Sequence, residues 1–373
     1  MVKINNKILK LRNSSIELLR IICMILIIFH HYSVHSGYYY SVETFSYNTV
    51  LMQFASLGGK IACCVFMLIT GYFMIKSKIN LKKIILLMLQ TLFYSILAVL
   101  IVVISGDKTL EPIDYFKSLF PYVYGNWFII VYLVLYILSP YINKMILSLE
   151  KKDIEKLILT LIVLFSLIPS NFTGSMIPTN NIVMLTIMYI IGAYLRIYVK
   201  QGPKVLYKRM VIMCFALMIL WVLFYDGMGM LLNKDLLISS ATKVEGISSF
   251  VVVIISIFIF LHFSNNYVFH SRAINKIAAT TLGIYLLHDN NYIRPKLWEE
   301  WFANKEYFCS KALILHMGIK CLAIFVICAL IEYIRAKYIE KWIKRLIDKN
   351  WNKYVLKVKD KKEKIITKLN IES

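Results

Sequence analysis

Arg20 and His31 share one apolar stretch near the start of the chain, separated by Ile21–Phe29 and His30. On an α-helix, eleven residues make three turns plus about 20°, so the two side chains leave nearly the same face about 16 Å apart along the axis. His30 points roughly 80° away from that face. Glu17 lies three residues before Arg20 and His35 four after His31, both spacings of helical neighbours. These residue types suit group transfer. A neutral imidazole can take the proton of an attacking hydroxyl, and a guanidinium that stays charged suits a phosphate, a carboxylate or a polarised carbonyl. The plainer alternative is an interfacial Glu17–Arg20 ion pair, with His31 bonded to a neighbouring helix; the alignment of Arg20 with His31 moves the balance toward chemistry.

What must position such a pair follows from composition. Of 373 residues, 59% are hydrophobic and 17% charged, and the mean hydropathy is +0.66. Soluble domains run nearer roughly 45–50% apolar and 25% charged. Apolar stretches near the length of about 20 residues that crosses a bilayer core recur along the chain. They fall near 16–36, 48–74, 84–104, 122–141, 157–170, 181–198, 210–225, 246–263, 277–292 and 312–334, the fifth and ninth being short or interrupted. The runs are too long for strands and lack the alternation of a membrane β-barrel. The predicted fold is all-α: a polytopic membrane protein of about ten transmembrane helices.

The charge then becomes a topology map. Lys and Arg number 43 against 21 Asp and Glu, a formal net charge of +22, an excess that in a soluble protein would suggest nucleic acid. With the N-terminus inside, 32 of the basic residues fall in inner loops and tails and 8 in outer loops, while Arg20, Lys60 and Lys320 lie within or at the edges of spans. That positive-inside bias predicts cytoplasmic N- and C-termini. It argues against a nucleic-acid binder, whose basic residues would share one folded face. The domain reading is a basic N-tail over 1–15, a membrane domain over 16–334 and a basic tail over 335–373. In that tail, Lys/Arg clusters alternate with Ile, Leu, Trp342 and Trp351, as in an amphipathic helix on anionic lipid or a solvated basic tail. The basic start could pass for a secretory signal, but Ile21–Phe29 runs into His30 and His31 with no small-residue cleavage site, so it reads as a retained first span. The seven cysteines show no metal or redox spacing. With no P-loop, dinucleotide glycine pattern or zinc signature, neither a bound cofactor nor a metal is expected.

Polar groups inside spans carry most information, because each is costly in lipid. Lys60 follows Gly58-Gly59, whose bare backbone lets helices approach, so a partner or an anionic ligand is expected for it. Trp127 follows Gly125-Asn126 at the outer end of the fourth span, the usual place of an interfacial Trp. His288 ends Gly283-Ile-Tyr-Leu-Leu-His near the outer end of the ninth span, and Glu332 closes the tenth beside Arg335, where a structural pair is expected.

At these residues the sequence resembles the integral-membrane acyltransferase-3 superfamily, whose members O-acylate sugars and other envelope acceptors. Asn13 to Tyr32 is similar to the family's first span, with its Arg or Lys, ten residues and His falling on Arg20 and His31. Lys60 to Phe73 is similar to the aromatic-rich segment ending span two, with Thr70 for the usual Ser and Met67 for a Phe. Trp127-Phe128 with Tyr136 to Pro140, Thr281 to His288, and Glu332 resemble the family's later features, in order along the chain. No additional extracytoplasmic hydrolase-like domain is expected.

The resemblance implies a multi-pass enzyme of a bacterial plasma membrane. It would take acyl-CoA, acetyl-CoA foremost, as donor and a cell-envelope polysaccharide or lipid-linked glycan as acceptor. His31 would serve as base or covalent acyl carrier and Arg20 as the group holding the donor's charge. Lys60, Tyr72, Trp127, His288 and Glu17 are the candidate substrate-binding residues. The competing reading is an exporter of polysaccharide or lipid-linked sugar with no chemistry of its own.

Overall fold

The computed structural model describes residues 2–4, 7–9, 13–168, 180–199, 202–266 and 268–351. A short antiparallel strand pair, Val2–Ile4 against Lys7–Leu9, precedes the helices. The body is helical: α1 Ser14–Val34, α2 Tyr47–Ser56, α3 Gly59–Met74, α4 Leu81–Ile104, α5 Trp127–Ser148, α6 Lys151–Ile162, α7 Asn181–Tyr198, α8 Lys204–Leu232, α9 Phe250–Asn266, α10 Thr281–His288 and α11 Leu313–Arg335.

Among the described residues, 8 helical stretches are long and apolar enough to cross a membrane, with α2 and α3 counted as one. The ten expected spans differ from these at the fifth and ninth. The fifth begins in the charged turn Lys151-Lys152-Asp153 and runs through α6 into a π-turn, Val163–Leu167; positions 169–170 of the expected span lie outside the described residues. The ninth divides into a short helix, Arg272–Ala278, and α10. Thr280 and Thr281 turn their hydroxyls back onto the carbonyls of Ile277 and Ala278, at 2.7 and 2.9 Å, the kind of local bond that competes with continuous helix. The expected seventh span is longer than its apolar centre suggests, ending only where Asn233 takes a left-handed φ of 51°.

The stretch Tyr47–Met74 is the most enclosed, with 72% of its apolar window buried, against 22% for α8 and 28% for α5. The centre is therefore α3 with α1, α7 and α9 around it, and α5 and α8 present apolar faces outward. Leu19, Ile61, Met67, Leu68, Met188 and Tyr189 fill that centre. Two glycines set the closest approach. A Cβ on Gly71 would fall on the Tyr189 carbonyl oxygen, and one on Gly192 on that of Leu68, so α3 and α7 pack backbone to backbone as small residues permit. Gly71→Val is expected to lose about 1–3 kcal/mol or more through overpacking. A lowered melting temperature of the purified protein in detergent checks this, and an unchanged one refutes it.

Gly58 and Gly59 do the same for α1, as their sequence suggested: a Cβ on Gly58 would lie 2.9 Å from Leu26, and one on Gly59 would collide with the His30 ring. Toward the end of the bundle where α1 finishes, Gln53 of α2 donates to Asp226 of α8 at 2.9 Å and to the Ile238 carbonyl at 3.2 Å. At the opposite end the last helix continues past Arg335 through a π-turn, Ala336–Glu340, as far as Trp351. Lys82, at the start of α4, pairs with Asp348 at 2.5 Å and lies 5.1 Å from the Trp351 ring. This part of the tail is therefore a helix docked on α4; residues 352–373 lie outside the described residues.

Candidate active site

The sequence of α1 makes an uninterrupted helix: Asn13 caps it by accepting from the Ser15 N–H at 3.0 Å, and no Pro or Gly breaks it. Arg20 and His31 therefore hang from one rigid element. His31 is buried and its Nδ1 lies 3.0 Å from Nε2 of His288 on α10, while His288 Nδ1 lies 2.6 Å from the Ile284 carbonyl oxygen. These contacts order the protons. A carbonyl only accepts, so His288 Nδ1 carries the hydrogen; neutral His288 then accepts at Nε2, and His31 donates from Nδ1. The lone pair of neutral His31 is left on Nε2.

Asp289, the residue after His288, presents Oδ1 3.7 Å from His31 Nε2 and 4.0 Å from His35 Nε2. Asn126, just before Trp127, holds that carboxylate in place. Its Nδ2 donates to the Asp289 carbonyl at 2.6 Å and to Oδ2 at 3.0 Å, and Arg294 approaches Oδ1 at 3.2 Å. An imidazolium formed on His31 would thus meet an anion already anchored by two partners. His31, His35 and Asp289 also bring three ligand atoms within 4.8 Å of one another, a spacing that admits a metal ion. The Arg294 guanidinium on the same oxygen offsets the negative charge a cation would need.

Below His31 a cavity of about 620 Å³ runs along α1, α3, α4 and α5. Its upper wall includes Cys63, Phe128 and Tyr285, the last with its ring 6.5 Å from that of His31. Its middle holds Arg20, Tyr132 and Gln90, and its lower end holds Ser77, Lys78, Lys83 and Lys344. Arg20 is partly exposed there, with Nε 3.8 Å from Glu17 Oε2.

The other expected site residues separate into two groups. Lys60 and Trp127 meet each other, the ammonium 5.0 Å from the indole centroid, a cation–π contact that supplies the partner Lys60 needs. His288 and Glu17 touch His31 and Arg20 directly. Tyr72 does not join them: its hydroxyl accepts from Arg196 at 2.9 Å and its ring packs on Phe260. His30 faces away, with Nδ1 2.7 Å from the Ser56 carbonyl and 3.3 Å from Glu245. Asp289, Asn126 and Arg294 were not singled out from the sequence; adjacency to His288 was the available signal for Asp289.

The acyltransferase-domain family model matches residues 13–333. Neither a curated protein nor a solved structure matches the chain.

Proposed function

The chain belongs to the acyltransferase-3 superfamily, a multi-pass membrane acyltransferase by its family and helices, and on that premise we propose that it O-acylates a glycan of the bacterial cell envelope. The donor is cytoplasmic acyl-CoA, with acetyl the first group to test, and the acceptor is a hydroxyl of a polysaccharide or of its lipid-linked precursor. The observation that carries this reading is the lone pair left on His31 Nε2 in a buried cluster, one ring (Tyr285, 6.5 Å away) beyond the upper wall of a cavity whose lower end is basic. In the direct route the acceptor oxygen attacks the thioester carbonyl carbon while its proton passes to His31 Nε2. The C–S bond then breaks, and the departing CoA thiolate takes the proton back. In the covalent route His31 Nε2 attacks first and expels the thiolate. The acceptor oxygen then attacks the acyl carbon and displaces the imidazole, whose freed Nε2 takes the hydroxyl proton and passes it to the thiolate. Asp289 steadies the imidazolium in the first route. Arg20, midway up the cavity, stays charged and holds an anionic or polarised group of the donor. Lys60 stacked on Trp127 and His288 behind His31 shape the outer half.

The experiment is mass spectrometry of envelope glycans with and without the protein, together with CoA release from acetyl-CoA by purified protein. Loss of acyl groups with normal surface glycan supports the transferase. Loss of surface glycan with its acylation intact refutes it and returns the exporter.

A further inference from the structure

The lower end of the cavity is built partly by residues beyond the domain that its family shares. The match ends at residue 333, yet Glu340 and Lys344, on the tail helix, line the same 620 Å³ cavity as Lys78, Lys83 and Arg20. The tail is held there from two sides. Arg335 donates through Nη2 to Glu340 at 2.5 Å and through Nε to the buried Glu332 at 2.7 Å. Farther along, Lys82 grips Asp348 and lies against Trp351. Lys344 lies 2.5 Å from Glu340 and keeps about half its side chain exposed, at 52%.

We propose that the tail helix completes the donor site, with Lys344 joining Lys78 and Lys83 to hold the phosphate-bearing end of a nucleotide thioester. The inference rests on the acyl-CoA reading above and adds to it the tail as a donor-binding element. Three lysines against the single carboxylate of Glu340 leave this mouth positive. The wall between mouth and Arg20 is mostly apolar, with Ile69, Phe73, Met74, Ile84 and Leu87 beside Thr70. An occupant with a polyanionic head and a slender arm matches that order of surfaces, because charge stays at the wet end and only the arm enters the apolar channel. Lysines present point charges to phosphate with little demand on angle. Glu340 is a gate of charge: an arriving phosphate competes with it for Lys344, and Arg335 remains to keep Glu340 paired.

The test is isothermal titration of CoA, and separately of pantetheine, into purified full-length protein in nanodiscs of neutral lipid. Lys344→Glu is expected to weaken CoA binding about tenfold or more, as the loss and inversion of one charge-assisted contact, and to leave pantetheine binding unchanged. Arg345→Glu changes the same tail charge at a residue that does not line the cavity and should leave CoA binding within twofold. Melting temperatures of both variants verify that each is folded. Equal weakening by the two variants would overturn the proposal in favour of a general field of the tail. Repeating the titration with anionic phospholipid in the nanodisc separates two sources of phosphate. Persistence of the Lys344 effect supports the donor site, and its disappearance assigns the lysines to lipid headgroups and overturns it. CoA binding untouched by Lys344→Glu would refute the tail's role alone. Failure of the wild-type protein to bind CoA would refute it together with the acyl-CoA reading.

Discussion

His31→Ala is expected to lower acyl transfer by about 10²–10⁴-fold, the usual worth of a positioned proton acceptor, while the protein keeps its fold. The reason is local. His31 touches His288 through one nitrogen and faces Asp289 with the other, and no backbone group depends on it, so truncation removes a proton acceptor and leaves the helix intact. Turnover of acetyl-CoA with an added glycan acceptor, measured beside a thermal melt, checks both halves. Near-normal transfer by the folded variant would dismiss His31 as the reacting group. Adding His31→Gln sharpens the result, because an amide fills the space without offering a base or a nucleophile. To separate the two routes, acetyl-CoA is supplied without acceptor: a covalent acyl-His31 adduct and ping-pong kinetics mark the carrier route, and their absence with full turnover marks the direct one.

The second large effect is on stability. Glu332 is 3% exposed and accepts four hydrogen bonds from three residues: Arg335 on both oxygens at 2.7 and 2.9 Å, Tyr94 at 2.7 Å and Gln90 at 3.0 Å. Removing one member of such a buried pair strands the other charge, at a cost of about 3–5 kcal/mol. Glu332→Ala should therefore unfold at markedly lower temperature than wild type, and Glu332→Gln, which can still accept from Tyr94, should lie between them. Activity should fall with it. A Cβ on Gly283 would lie 2.5 Å from Glu332 Oε2, so this carboxylate is packed against α10, the helix that carries His288. Equal melting temperatures for Glu332→Ala and wild type would show that Arg335 finds enough support in Glu340 alone.

Periodicity and residue type were enough to align Arg20 with His31, to turn His30 aside and to mark Gly58-Gly59 as a close approach, because all three are properties of one helix or of bare backbone. The eight long spans were legible for the same reason: hydropathy is summed locally. The rest was decided across distance. Asn126 reaches Asp289 over 163 residues of sequence, and no local pattern specifies that an amide at the start of α5 must fix a carboxylate after α10. Tyr72 lies in a segment resembling the family's motif, yet Arg196 draws it to the far side of α3. The ninth span reads as short or interrupted from its hydropathy, but where it divides is set by the hydroxyls of Thr280 and Thr281, which hydropathy hardly weighs. The tail's amphipathic pattern was visible, but its docking depends on Lys82 meeting Asp348 across the fold.

The unbroken helix from Ser14 to Val34 has one more consequence. A helix with no hinge holds Arg20 and His31 as one rigid body, so the two can shift only together. Their spacing along the helix is a fixed gauge, so in the proposed reaction the donor supplies the reach and the acceptor comes to meet it. In the proposed reaction the acyl group crosses by the reach of its donor along that fixed gauge.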